Sequence, residues 1–281
     1  MRNNHNGVRL KKKTELNPLK GELRNSLIAV MDIMGFSSIL KNNAFNFGML
    51  VTNLAVDGCL KHVKASALIP DKTDPEHIKD LYKTILHFQF SDTLILVMPE
   101  ISKTSREAQC QFFVFVNAVA WAVSSFFDRG FPVQCQIEYG NCWWNMDENF
   151  LLGRQFIIAH EKISDMGFSG MVVSEDVLKI VFGNVRSEEC RRFCRHLGIE
   201  RITVPDKKDD YYEEYCFDWL HIRHDLSFSV ENIRQELIEK FTQHGKCLTA
   251  SVVKKIDNTE NMIRQFCAKA KEYRDEEQCY K

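Results

Sequence analysis

The stretch Ala29-Val30-Met31-Asp32-Ile33-Met34-Gly35-Phe36-Ser37-Ser38 decides how the chain is read. Apolar residues lead to a lone carboxylate, and Gly, Phe and two helix-capping hydroxyls follow. The order predicts a strand, a bend and a helix start. A carboxylate at the end of a buried strand is costly unless something positive meets it. The following helix N-terminus offers N–H groups and the positive end of a dipole, which suit phosphate. A second stretch, His87-Phe88-Gln89-Phe90-Ser91-Asp92-Thr93-Leu94-Ile95-Leu96-Val97, puts Asp92 at the tip between two strand-like runs. Asp32 and Asp92 are therefore read as a pair.

Outward from this pair, the first strand is expected over 27–34. A helix follows from about Ser37 toward Ala67, with Leu40, Phe47, Leu50, Val51, Leu54 and Val63 on one stripe. Residues 70–76 read as a charged loop. Strands of about eight and six residues flank Ser91-Asp92 in an antiparallel hairpin. The run 108–127 is the most apolar, but Gln109, Gln111 and Asn117 interrupt it, which favours a buried helix over a membrane span of about 20 apolar residues. That helix is also a candidate subunit contact. Gly130 ends it, a strand follows to Gly140, and 141–152 reads as a loop or hairpin tip holding Trp143 and Trp144. A helix over 153–166, a strand over 170–174 and a short helix capped by Ser174 come next. A helix near 187–197 leads to strands near 200–204 and 212–220, with Lys207 and Lys208 in the acidic loop between them. From Ser229 two amphipathic helices are expected, broken near Gly245.

A chain of 281 residues holds one generous domain with additions at its ends. The net charge of −1 gives no reason to expect nucleic acid or an anionic membrane as partner. Ten cysteines without framework spacing point to a reducing compartment, and the polar, basic N-terminus lacks the apolar core of a signal peptide. A cytoplasmic location is expected. Residues 1–25, with Lys11-Lys12-Lys13, read as a flexible basic arm.

Two oxygen-ligand acids at strand ends suit Mg²⁺ or Mn²⁺. Phe88 alternates onto the face of Phe90 and Asp92, either as a core aromatic or as a contact at the site. A rival zinc site could draw on Cys190, Cys194, His196, His221 and His224, although no Cys-x-x-Cys pair is present. No Gly-x-Ser-x-Gly element supports a serine nucleophile.

With Asp32-Ile33-x-Gly35-Phe36-Ser37, the Ser91-Asp92 hairpin, the strand ending Gln136-Ile137-Glu138-Tyr139-Gly140, the helix opening Gly153-Arg154-Gln155-Phe156-Ile157-Ile158-Ala159 and the strand Met171-Val172-Val173-Ser174, the chain resembles a class III nucleotidyl cyclase domain over roughly 27–220. The Phe-Ser-Asp hairpin and the helix ending His160-Glu161-Lys162-Ile163 look most like the bacterial pyrimidine cyclases of Pycsar anti-phage defence. The resemblance implies an α+β fold, a mostly antiparallel sheet covered by helices. It divides the chain into the arm, a catalytic domain over 26–220 and a helical C-terminal extension over 221–281. It assigns two Mn²⁺ or Mg²⁺ ions to Asp32, Asp92 and the carbonyl of Ile33. It rests phosphate on the backbone of 34–37, where Phe36 and Ser37 contact substrate. Phe88 stands where purine-specific members carry a charged base-reading residue, and Phe150 falls near the second such position. Ile157 and Glu161 occupy the places of the usual Asn and Arg, which leaves Arg154 as the replacement catalytic cation. The implied activity is cyclisation of UTP to 3′,5′-cyclic UMP, a defence signal read by a downstream effector, in a homodimer. CTP is the near alternative, and a cyclase-like domain that binds without turnover is the other.

Overall fold

The computed structural model describes residues 22–43, 75–208, 210–218 and 232–279. The arm, most of the helix expected after Ser37, and His221 and His224 lie outside them. An α+β architecture results. In chain order it runs β1 (Glu22–Ile33), α1 (Phe36–Asn42), α2 (Pro75–Lys83), β2 (Leu86–Phe90), β3 (Thr93–Pro99), α3 (Arg106–Asp128), β4 (Val133–Asn145) and β5 (Phe150–Leu152). It continues with α4 (Arg154–Asp165), β6 (Gly170–Val173), α5 (Glu175–Phe182), α6 (Glu188–Leu197), β7 (Ile199–Pro205), β8 (Tyr211–Phe217), α7 (Ile233–Thr242) and α8 (Ala250–Cys279).

One sheet in the order β2-β3-β1-β4-β6-β8-β7 organises the molecule, with β5 paired to β4. Every pairing is antiparallel except β4 with β6, which the α4 crossover joins. Residues 27–31 of β1 are buried on both faces, as the unbroken apolar run requires for a central strand. α3 starts at Ser105, whose hydroxyl accepts from the Ala108 N–H, and packs across the middle strands. It is long and apolar enough to cross a membrane, but it lies inside the fold. Of its 23 residues 17 are buried, so it leaves little surface for the subunit contact expected of it.

Four further expectations are corrected. β1 begins at Glu22, earlier than read. α1 stops at Asn42, because Asn43 turns to extended backbone at φ −128. The strands beside Ser91-Asp92 have 5 and 7 residues. Trp143 and Trp144 belong to β4 and not to a loop, because β4 continues to Asn145 and pairs with β5.

The C-terminal helices are built into the fold. The Asn258 amide donates to the Gly167 carbonyl (2.9 Å), and the Thr259 hydroxyl accepts from the Ser169 N–H (2.9 Å). Gln265 bonds Thr203 of β7 in both directions. Between α7 and α8 a single 3₁₀ turn, 243–245, lies against the other end of the molecule. Asn42 and Asn43 donate to the carbonyls of Gly245 (2.6 Å) and His244 (2.7 Å). The His244 ring stacks on Phe131 at 4.4 Å, and Lys246 donates to the Gly130 carbonyl at 2.8 Å.

Candidate functional site

Asp32 is the penultimate residue of β1, held between Thr93 of β3 and Gln134 of β4. Asp92 occupies the two-residue turn joining β2 to β3, where Ser91 takes a left-handed φ of 56. The Ile33 N–H donates to the Asp92 carbonyl at 3.2 Å, so the hairpin tip is fastened to the end of β1. The paired acids of the sequence are thus neighbours in space. Both carboxylates are half-buried, and neither makes an ion pair or side-chain hydrogen bond among the described residues.

Burial raises the Asp32 carboxyl above its ordinary value, and the nearby Asp92 raises it further. Three cations oppose them: His160 of α4, Lys255 of α8 and Lys207 of the β7–β8 turn. The sequence named His160 and Lys207 but placed neither beside the acids, and it did not single out Lys255. Lys255 left the clearest trace, because it falls on the same helical stripe as the buried Thr259, Met262 and Phe266, where a lysine is out of pattern.

α4 reaches the site because β4 offers it a polar, buried flank. Gln134 donates to the carbonyls of Met166 and Phe168, Gln136 donates to Glu138, and Glu138 pairs with Lys162 at 2.8 Å. These bonds satisfy groups that would otherwise be costly to bury.

The phosphate turn is narrower than expected. The Met34 N–H is already given to the Pro132 carbonyl (2.9 Å), so it is not available to a ligand. Gly35 takes φ 75, a left-handed conformation that suits glycine, and α1 has only 7 residues. Phe36 leans on the core while Ser37 is exposed. Ile33 buries its side chain and stands between the acids through its backbone.

The other expected residues are placed elsewhere. Phe88 is 1% exposed and lies in the core, whereas Phe90 on the same strand is 40% exposed. As placed, the Phe88 ring offers a base no surface, so of its two readings the core aromatic fits its position. Arg154 lines a cavity of about 890 Å³ together with Leu23, Asn25, Tyr139 and Ile157. Asn25 and Asp32 lie at opposite parts of β1, about 20 Å apart at the rise of an extended strand. A single protomer therefore does not bring Arg154 to the acids. Phe150 begins β5 and packs edge-on against Trp143 at 5.0 Å.

Cys190 and Cys194 are buried with their sulfurs 3.9 Å apart. Among the described residues no group of three or more His, Cys, Asp or Glu gathers as a metal centre, so zinc finds no support there. Two carboxylates alone do suit Mg²⁺ or Mn²⁺, which keep water and take further oxygens from phosphates.

No family model and no curated protein matches the sequence. Among solved structures, the chain is similar to the catalytic core of a rhodopsin-guanylyl cyclase with converted specificity, in complex with ATPαS. The TM-score is 0.42 at 11% identity, over 70% of this chain and 97% of that one. It is also similar to the guanylate cyclase domain of RhGC from Catenaria anguillulae, in complex with GTP, with a TM-score of 0.38 at 10% identity over 70% and 97% of the two chains. These values are low, so the chemistry of the site rests on the residues just described.

Proposed function

We propose that the chain is a nucleotidyl cyclase, acting on a pyrimidine triphosphate with UTP preferred. The observation that carries this reading is the pair of half-buried, unpartnered carboxylates, Asp32 and Asp92, fastened together at the end of a central strand. A divalent ion held between them would supply Lewis-acid activation of the ribose 3′-hydroxyl and charge neutralisation on the triphosphate. The 3′-hydroxyl would give its proton to solvent, its oxygen would bond the α-phosphorus, and the bond from that phosphorus to the α–β bridging oxygen would break, releasing pyrophosphate. Asp32 and Asp92 would hold the divalent ion, and the 35–37 turn follows Asp32 closely in the chain. The pyrimidine preference is supported by the likeness of the Phe-Ser-Asp hairpin to that of the pyrimidine cyclases, since the buried Phe88 ring itself offers a base no surface. Cyclic UMP as a signal of anti-phage defence is the product that the Phe-Ser-Asp hairpin favours, with cyclic CMP as the near alternative.

A homodimer completes this reading. Arg154 lies far from the acids of its own chain, and a second copy would bring it to them. Leu23, Leu152 and Ile157 around Arg154 are 67%, 53% and 51% exposed, an apolar rim suited to a twofold contact. A second reading, nucleotide binding without turnover, is favoured by one observation: Ile157 and Glu161 present no amide or guanidinium on the exposed side of α4.

Purified protein with Mn²⁺ and each of the four ribonucleoside triphosphates, products resolved by chromatography, tests these readings. UTP should give cyclic UMP, and Asp32→Asn and Asp92→Asn should each abolish it in a folded protein. Either variant retaining near wild-type turnover would remove the metal pair. ATP or GTP as the best substrate would overturn the pyrimidine assignment, and no turnover of any would leave the binding reading.

A further inference from the structure

The C-terminal extension reaches the carboxylate pair through a continuous set of bonds. In α8, the Thr259 hydroxyl donates to the Lys255 carbonyl (2.7 Å), so the two residues stand one turn apart on the same side. The same hydroxyl accepts from the Ser169 N–H, and the Ser169 hydroxyl donates to the Val133 carbonyl at 2.8 Å. Val133 pairs with Ile33, next to Asp32. Lys207 is set from two sides: its N–H donates to the Asp165 carbonyl (2.9 Å), and its carbonyl accepts from Lys254 (3.5 Å). The first turns of α8 and the β7–β8 turn therefore converge on the end of β1, and both ammonium groups act on Asp32.

Neither ammonium is used by the fold. Lys255 is half-buried, and neither it nor Lys207 makes an ion pair or side-chain hydrogen bond among the described residues. A site with unpaired acids on one side and unpaired lysines on the other suits a ligand carrying both signs of charge. A polyphosphate chain with a bound divalent ion is such a ligand: its metal meets the carboxylates and its remaining oxygens meet the ammonium groups.

We infer that Lys255, carried into the site by the C-terminal extension and seconded by Lys207, binds the polyphosphate chain of the substrate and holds the pyrophosphate as it leaves. This deepens the cyclase reading and rests on the same site. Burial pulls the Lys255 ammonium down to about 8, with the nearby Lys207 adding to the effect and Asp32 opposing it. An incoming anion would relieve that cost, which a merely structural lysine would have met with a permanent partner.

Inorganic tripolyphosphate tests the inference without any need for turnover. Calorimetry with Mn²⁺ present should show binding to the wild-type chain, weakened about tenfold or more in Lys255→Met and largely kept in Lys255→Arg. Lys255→Gln, checked by thermal melting, serves if the methionine variant does not fold. No binding to the wild type, or equal binding by the charge-removing variants, overturns the inference. Lys255-dependent binding in a chain that cyclises none of the four triphosphates would uphold it while removing the cyclase reading.

Discussion

Among the described residues Asp32 makes no ion pair or side-chain hydrogen bond, and that fact sets its energetics as well as its chemistry. An unpaired, half-buried acid beside a second acid destabilises the fold it belongs to, as functional groups often do. Asp32→Asn should therefore raise the melting temperature by about 2–4 °C, which corresponds to roughly 1 kcal/mol for a chain of this order of size. Differential scanning calorimetry checks this, and Mn²⁺ should raise the melting point of the wild type while leaving that of the variant unmoved. Phe88 behaves in the opposite way. Emptying its place in the core should cost about 3–5 kcal/mol. Phe88→Ala should then lower the urea midpoint and keep the ranking of the four triphosphates by kcat/KM, whereas a changed ranking would put the ring back at the base. The acids were legible because a carboxylate ending an apolar run breaks its pattern. Phe88 was not, because alternation gives the face of a strand but not what covers that face. The convergence of His160, Lys207 and Lys255 on Asp32 was hidden because it is made by three elements far apart in sequence.

At the scale of elements, the carboxylate pair depends on parts that look remote from it. The 243–246 segment lies against the turn after β1. The Lys246 stem comes close enough that a Cβ on Gly35 would sit 3.3 Å from its Cδ. Lys246 and Lys255 belong to this same C-terminal segment, and burial pulls each ammonium down to about 8 from the ordinary 10.5. The unfolded chain therefore binds more protons than the folded one between these two values. Stability should rise as pH increases through that window, and the penalty should be fully present below it. Urea midpoints measured from about pH 7 to 10 should climb in the wild type, and the climb should be shallower in Lys255→Met. The helix after β6 was readable from its cap. Ser174 accepts from the N–H three residues on, as its reading as a cap expected, and Ser105 and Ser187 cap their helices in the same way. The early stop of α1 was less readable, because its apolar stripe continues past Asn43 in the sequence.

For the whole molecule, the succession of strands and helices along the chain follows from the sequence more readily than the strand lengths. The hairpin at Ser91-Asp92 and the apolar helix at 106–128 set the antiparallel half of the sheet. The extension of β4 to Asn145 depends on pairing with three-residue β5, which is too short to announce itself. If the site is shared between two copies, mixing Asp32→Asn with Arg154→Ala should restore up to about a quarter of wild-type activity by random reassortment. A fully active monomer across the assay range, shown by sedimentation, would contradict the shared site. The brace on the turn after β1 also bears on how the chain is made. Asn42 and Gly245 are 203 positions apart, and Asn43 and His244 are 201. Bringing such distant ends together costs roughly 5 kcal/mol of loop-closure entropy and slows folding. The nascent chain completes its sheet strands before the segment that braces the turn has been synthesised. The turn beside Asp32 is thus braced only after the sheet strands have been made.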